Sequence, residues 1–482
     1  MRTLFITQEL VPYHATGGMA VVSRDLPAAL AERGLPHTQL LPFIKNVTAL
    51  PDDGAHEVLA RASVTIDGKR YAYQLCTVPT SDPQQQTLFV AQDEIFRDRI
   101  YDDAVRLHRN IVIGHAALSY LASATEPYRI VHALDQLSTL TLAYIKAQTD
   151  RYRLLFNILS AEYDFSLGKL IAETDFDGKD ALYVACPTLS SDSAIELGLR
   201  IADQSVTSSP AYAAMLAERY AGALAGRPVS ALHGIEHGID VKTWNPAALG
   251  HGYRPMATAS FADDKAHNRD ILMAALAAHR SGTAAVKAVP QRRILSFIGR
   301  FCKAKGRTAL YALIDALADF PDVELLFIVP AAAVSEVDRD KLQRRAATTP
   351  RFTFVNDYQQ DFAEIAFAGS DFIIMPSEQE PSGLCQKIAM RFGSIPVVTP
   401  AGGLKDTIID AFAHPATGNG FVAESIDPAS YLALLGRVLA LDPTDPLIAD
   451  VQRNALKTDV SLARTADDYA ILYRALLATG EQ

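Results

Sequence analysis

The chain has 482 residues, 49% of them hydrophobic, with a formal net charge of −10 and four cysteines. That length suggests two domains, or three small ones, with apolar material for a core in each. No dense Lys/Arg run offers the basic face of a nucleic-acid binder, so an anionic ligand must find locally placed cations. Cys76, Cys186, Cys302 and Cys385 lie far apart and form no CxxC pair, which argues against a zinc site or a disulfide framework and fits a reduced, cytoplasmic setting. No apolar run reaches the roughly 18 residues that span a bilayer. The N-terminal Met1-Arg2-Thr3-Leu4-Phe5-Ile6-Thr7 reads as a first strand, too short for a signal-peptide core.

From Leu4 to Thr7 the chain is strand-like, and a helix follows from about Ala20 to Glu32, closed by Gly34. Val64 to Cys76 alternates around Asp67-Gly68, a hairpin signal. Ile130 to His132 and Arg153 to Ile158 are further strands, each near a helical segment. Trp244 to Pro290 is the least regular stretch, with Asn245-Pro246 and Gly250-His251-Gly252 as breakers. Regularity returns with Ile294 to Ile298, Val323 to Val329, Phe352 to Val355, Phe372 to Met375 and Ile395 to Thr399 as strands. Amphipathic helices of about 10–15 residues separate them. This alternation predicts an α/β chain: two Rossmann-like, doubly wound domains facing a central cleft, divided into 1–243 and 244–461.

Three loops at strand ends carry candidate chemistry. Ala15-Thr16-Gly17-Gly18-Met19 follows the first strand and precedes the first helix. Gly17 and Gly18 would let backbone N–H groups approach an anion, and would equally make an ordinary strand-to-helix turn. The motif is not GxGxxG, so a dehydrogenase gains no support. Gly299 to Gly306 follows a strongly apolar strand; Arg300 offers a planar fork and Lys305 a mobile point charge, a suitable pair for a diphosphate. Each such contact contributes about 1.5–3 kcal/mol, although a plain solvated basic loop has the same composition. Pro376 to Leu384 follows the strand Phe372 to Met375, with a helix starting near Gly383 and a Gly402-Gly403 loop beyond the next strand. Backbone donors at Ser382, Gly383 and Leu384 suit a distal phosphate. Glu380, at the same rim, suits sugar hydroxyls and the positive charge developing at an anomeric carbon.

Beyond these loops, Ala368-Gly369-Ser370-Asp371, Glu380 through Val398, and Gly402-Gly403-Leu404-Lys405-Asp406-Thr407 stand in a fixed order, with Ser209-Pro210, Gly238-Ile239-Asp240 and Trp244-Asn245-Pro246 upstream. Together they resemble the glycogen and bacterial starch synthase family of GT-B glycosyltransferases, over nearly the whole chain. The resemblance implies a retaining enzyme that moves a hexosyl unit from a nucleotide sugar, ADP-glucose first, to a saccharide or small-molecule hydroxyl, with no metal or other cofactor. By position, Arg300 and Lys305 match the family's basic pair on the donor diphosphate, Glu380 its active-site carboxylate, and Gly17 and Gly18 the glycines facing the donor. Tyr358 falls where family members stack an aromatic ring on the nucleobase, and reads equally as a packing tyrosine. His132 and Asp135 resemble the family's His-x-His-Asp-Trp segment, with Leu134 and Gln136 replacing its second His and its Trp; His132 also reads as a core-edge histidine. The helix around Tyr469 and Tyr473 looks like the family segment that crosses back onto the first domain, which would join 462–482 to 1–243.

Departures from the pattern point to altered sugar or acceptor choice. Ala15 and Met19 stand where the family has the Lys and Leu of Lys-Thr-Gly-Gly-Leu. Phe156-Asn157 through Tyr163 replaces a His-Asn pair with an aromatic and Gln, His237 replaces an Asn, and Ile388 stands where some related transferases carry a second carboxylate. Two other readings share the architecture. A sugar-nucleotide epimerase would need carboxylates and a histidine around the sugar, which the sequence does not reveal. A carbohydrate-binding protein without turnover is favoured by Ala15 and the missing histidine.

Overall fold

The computed structural model describes residues 2–15, 17–50, 56–80, 82–162, 164–228, 231–248, 250, 252–255, 261–279 and 292–478. Thr16, Tyr163, His251 and residues 280–291, which figure in the motifs and breakers above, lie outside the described residues. The chain forms two compact units, Met1–His237 with Leu462–Gln482, and Gly238–Ser461.

The first unit holds one nine-stranded sheet. Its strands are β1 Arg2–Ile6, β2 His37–Pro42, β3 Glu57–Ile66, β4 Lys69–Thr77, β5 Gln85–Ala91, β6 Tyr128–Leu134, β7 Arg153–Ile158, β8 Gln204–Thr207 and β9 Leu232–Gly234, in the order β3-β4-β5-β2-β1-β6-β7-β8-β9. Every pairing is parallel except β3 with β4 and β4 with β5. The antiparallel pair is the predicted hairpin: Asp67 and Gly68 both take positive φ (50° and 70°), the conformation of a two-residue turn that follows the strands' twist. β1 is an apolar run because helices cover both its faces. Leu4 and Ile6 enter one core, and Phe5 enters another with Leu26 and Leu30 of helix Gly18–Ala31 and Tyr469 and Tyr473 of helix Leu462–Ala478.

The second unit holds six strands, all paired in parallel: β10 Arg293–Ile298, β11 Val323–Ile328, β12 Phe352–Val355, β13 Phe372–Met375, β14 Ile395–Val398 and β15 Phe421–Val422. Successive residues of β10 alternate between two cores, Leu295 and Phe297 on one side of the sheet, Ile294 and Ile298 on the other. That alternation makes the sheet doubly wound. The strand order β12-β11-β10-β13-β14-β15 reverses direction between β10 and β13. In the first unit the reversal falls between β1 and β6. Open α/β sheets bind ligands at the carboxyl ends of the strands flanking such a reversal.

Candidate active site

The loops after β10 and β13 are the two that flank the reversal in the second unit, and backbone contacts lock them together. Gly306 has φ +76°, and a Cβ added there would collide with the Pro376 carbonyl, so only glycine permits the close approach. Ala304 O accepts from Glu378 N (2.9 Å) and Gln379 N (3.0 Å). Thr399 Oγ1 donates to Ser377 O (2.5 Å), and Gly403 N to Glu380 O (2.9 Å), which ties the loop to the end of β14. The backbone thus delivers Lys305 Nζ to 2.5 Å from Glu380 Oε2, and Ser377 Oγ donates to the same oxygen from 3.1 Å. The Glu380 side chain is only 5% exposed and that of Lys305 22%. Burying a carboxylate this deeply is costly unless it is paired, and Lys305 and Ser377 supply that pairing here. Arg300 follows Gly299 on the same loop, half-buried.

Ser382, Gly383 and Leu384 continue the loop. The helix that follows is Cys385–Arg391, two residues later than the sequence predicts, because Gly383 takes the left-handed conformation (φ +72°) that breaks helical geometry. Gln386 Nε2 donates to Ser382 O (2.9 Å) and Lys387 Nζ to Ser382 Oγ (3.1 Å). Cys385 Sγ donates to Ile298 O (3.2 Å), fastening this helix to the end of β10. Burial pushes the Cys385 thiol up to about 12, with Lys305 opposing and Glu380 adding to the shift. Tyr358, 40% exposed beyond β12, is near enough to interact electrostatically with Cys385. Arg300, Lys305, Glu380, Ser382, Gly383 and Leu384 therefore share the carboxyl edge of one sheet, and Tyr358 borders them.

The first unit gathers a second set at its own reversal. Gly17, the extended residue before helix Gly18–Ala31, donates its N–H to Glu9 Oε2 (3.2 Å), and Tyr101 OH donates to the other Glu9 oxygen. Glu9 is buried and was missed in the sequence, although a carboxylate three positions past a first strand is a recognisable sign. Asp135, just past β6, has φ +65°, a conformation costing a non-glycine residue about 1–3 kcal/mol. Burial raises its pKa to about 7, Glu9 adds to the rise, and backbone N–H groups of Gln136, Ser160 and Leu159 oppose it. Gly17 and Asp135 are thus linked through Glu9. His132 sits apart from them. It is fully buried, its Nδ1 lies 2.9 Å from Tyr473 OH and its ring 4.6 Å from that of Phe5, and burial lowers its pKa to about 3. Asn157 Nδ2 likewise donates to Tyr469 OH (2.8 Å), so both side chains serve to seat the terminal helix.

Among the described residues, no group of three or more His, Cys, Asp or Glu side chains is placed to hold a metal ion, and no helix is long and apolar enough to cross a membrane.

Two doubly wound α/β units in one chain are the architecture of the GT-B glycosyltransferase fold, which the solved structures that the chain resembles share. The fold matches that of the catalytic domain of starch synthase IV from Arabidopsis thaliana, solved with ADP and acarbose (TM-score 0.82, 21% identity, 99% of each chain covered). It also matches sucrose-phosphate synthase from Thermosynechococcus elongatus (TM-score 0.63, 17% identity, 99% and 100% covered). Residues 2–227 match the starch synthase catalytic domain family and residues 292–440 the group 1 glycosyl transferases. Glycogen synthase of Marinobacter nauticus is 30% identical over 100% of this chain and 99% of its own length. Glycogen synthase of Acidiphilium cryptum is 28% identical, with 99% of each covered. The chain belongs to the glycogen and starch synthase family and is a glycosyltransferase of that kind.

Proposed function

We propose that the protein transfers a glucosyl unit from ADP-glucose to a saccharide hydroxyl, with retention, forming an α-glycosidic bond in a cytoplasmic setting. The observation that carries this reading is the Lys305–Glu380 pair at the reversal of the second sheet. Arg300 and Lys305 bind the diphosphate and stabilise the charge that gathers on it as the bond from the anomeric carbon to the phosphate oxygen breaks. The acceptor oxygen bonds to that carbon on the face being vacated, and its proton passes to the departing diphosphate. Glu380 faces the sugar and offsets positive charge at the anomeric carbon. No separate protein nucleophile is required. Tyr358 stacks on the nucleobase. The ADP and acarbose in the starch synthase IV structure support a nucleoside diphosphate and a saccharide as ligand classes.

A smaller saccharide or natural-product hydroxyl is the second acceptor reading, favoured by Ala15 and Phe156, which stand at the family's Lys and His positions. The test is a mass-spectrometric panel of nucleotide sugars with and without oligosaccharide acceptors. Acceptor-dependent transfer supports the reading; an isomerised donor would make the protein an epimerase, and binding without turnover a lectin-like relic.

A further inference from the structure

Helix Cys385–Arg391 sends Ile388, Ala389 and Met390 into an apolar core, yet Lys387 beside them is itself 0% exposed. An ammonium in such a place costs several kcal/mol unless it is well hydrogen-bonded, and an aliphatic side chain of similar size would be cheaper. What the charge accomplishes is visible in its direction. Lys387 reaches back five residues to place Nζ 3.1 Å from Ser382 Oγ, while the neighbouring Gln386 holds the Ser382 carbonyl from 2.9 Å. On the other side, Gly403 has no Cβ, and any Cβ there would collide with the same carbonyl. Ser382 is gripped from three directions.

We propose that Lys387 is a positioning residue for the donor diphosphate: its buried ammonium orients the Ser382 hydroxyl and sets a fixed positive charge beneath the Ser382-Gly383-Leu384 loop. This rests on the reading of that loop as a diphosphate site. An ammonium has only donors, so Ser382 Oγ accepts from Lys387 and its own hydrogen points away from the lysine. A hydroxyl polarised in this way is a stronger donor to an anionic oxygen. The charge also raises the local potential of a chain whose net charge is −10.

The test uses the full-length protein with Lys387→Met, Ser382→Ala and the double variant, measuring ADP affinity by calorimetry, donor and acceptor KM, and Tm. Lys387→Met should weaken ADP binding and raise donor KM by roughly tenfold or more, with acceptor KM unchanged. Ser382→Ala should weaken ADP binding less, and the double variant should lose less than the sum of the two single losses, because the two share the Lys387 Nζ–Ser382 Oγ contact. Wild-type ADP affinity in Lys387→Met overturns the inference, as does a loss of Tm with donor and acceptor KM rising together. If Lys387→Met does not fold, Ser382→Ala decides: unchanged ADP affinity there overturns it. A wild-type protein that binds no ADP defeats the diphosphate reading itself, which distinguishes the two failures.

Discussion

The ammonium of Lys305 lies 2.5 Å from the carboxylate of Glu380, although the two residues are 75 positions apart and come from loops after different strands. The contact exists because β10 and β13 are neighbours across the strand-order reversal and because Gly306 lets the first loop touch Pro376. It sets a cation and an anion side by side at the carboxyl edge of the sheet, where the proposed reaction needs one for the leaving group and one for the sugar.

Replacing Glu380 with Gln keeps the shape and removes the charge. Turnover should fall by about 10²–10³-fold, the scale for losing one preorganised electrostatic group. ADP affinity should not weaken, since a negative neighbour of Lys305 has gone. Steady-state transfer and calorimetry on the same preparation check both halves.

Gly306→Ala should be damaging out of proportion to its size. The added methyl meets the Pro376 carbonyl and the backbone is left-handed at φ +76°, so the loops must separate. Loss of stability should exceed about 1 kcal/mol, read as a lower Tm, and transfer should drop with it even at temperatures where the variant is folded.

What the sequence made legible followed from burial. β7, β12 and β13 form over the residues read for them, because strands covered on both faces are apolar runs bounded by breakers. β15, two residues long, and β9, three residues long, carry too little pattern to be read. Arg300, Lys305 and Glu380 were legible singly, as charges in glycine- and proline-marked loops, but their proximity depends on strand order, which no local signal encodes. Glu9 had a local sign in its place just past the first strand, but its partner Tyr101 is 92 positions away and no local signal joins the two. Lys387 was hidden because a lysine in a short helix reads as solvent-facing, whereas Gln386 to Met390 of this helix are all buried. The helix after Gly383 began later than read because a glycine near a helix start also reads as part of it.

Asp135 predicts a pH effect of definite sign. Its folded pKa of about 7 exceeds the ordinary 3.8, so between those values the fold holds a proton that the unfolded chain has lost. Its contribution to stability is therefore present below about 3.8 and is lost as pH rises to 7. Asp135→Asn should abolish this decline, which denaturation midpoints at pH 5 and pH 8 will show.

His132 acts in the opposite sense. Its folded pKa of about 3 lies below the ordinary 6.5, so the unfolded chain binds a proton that the fold refuses. The fold should lose stability progressively as pH falls below 6.5, and His37, lowered to about 4, adds to the loss. In His132→Gln, acid denaturation should begin at lower pH relative to that variant's own neutral-pH stability. An unchanged acid slope would mean that His132 titrates normally.

Calorimetric titration of ADP into the wild-type protein and into Arg300→Ala and Lys305→Ala puts the proposed diphosphate site to its most direct test. The site as described predicts binding to the wild type, roughly tenfold or greater weakening in each variant, and a parallel loss of transfer. Equal affinity in all three proteins would contradict it.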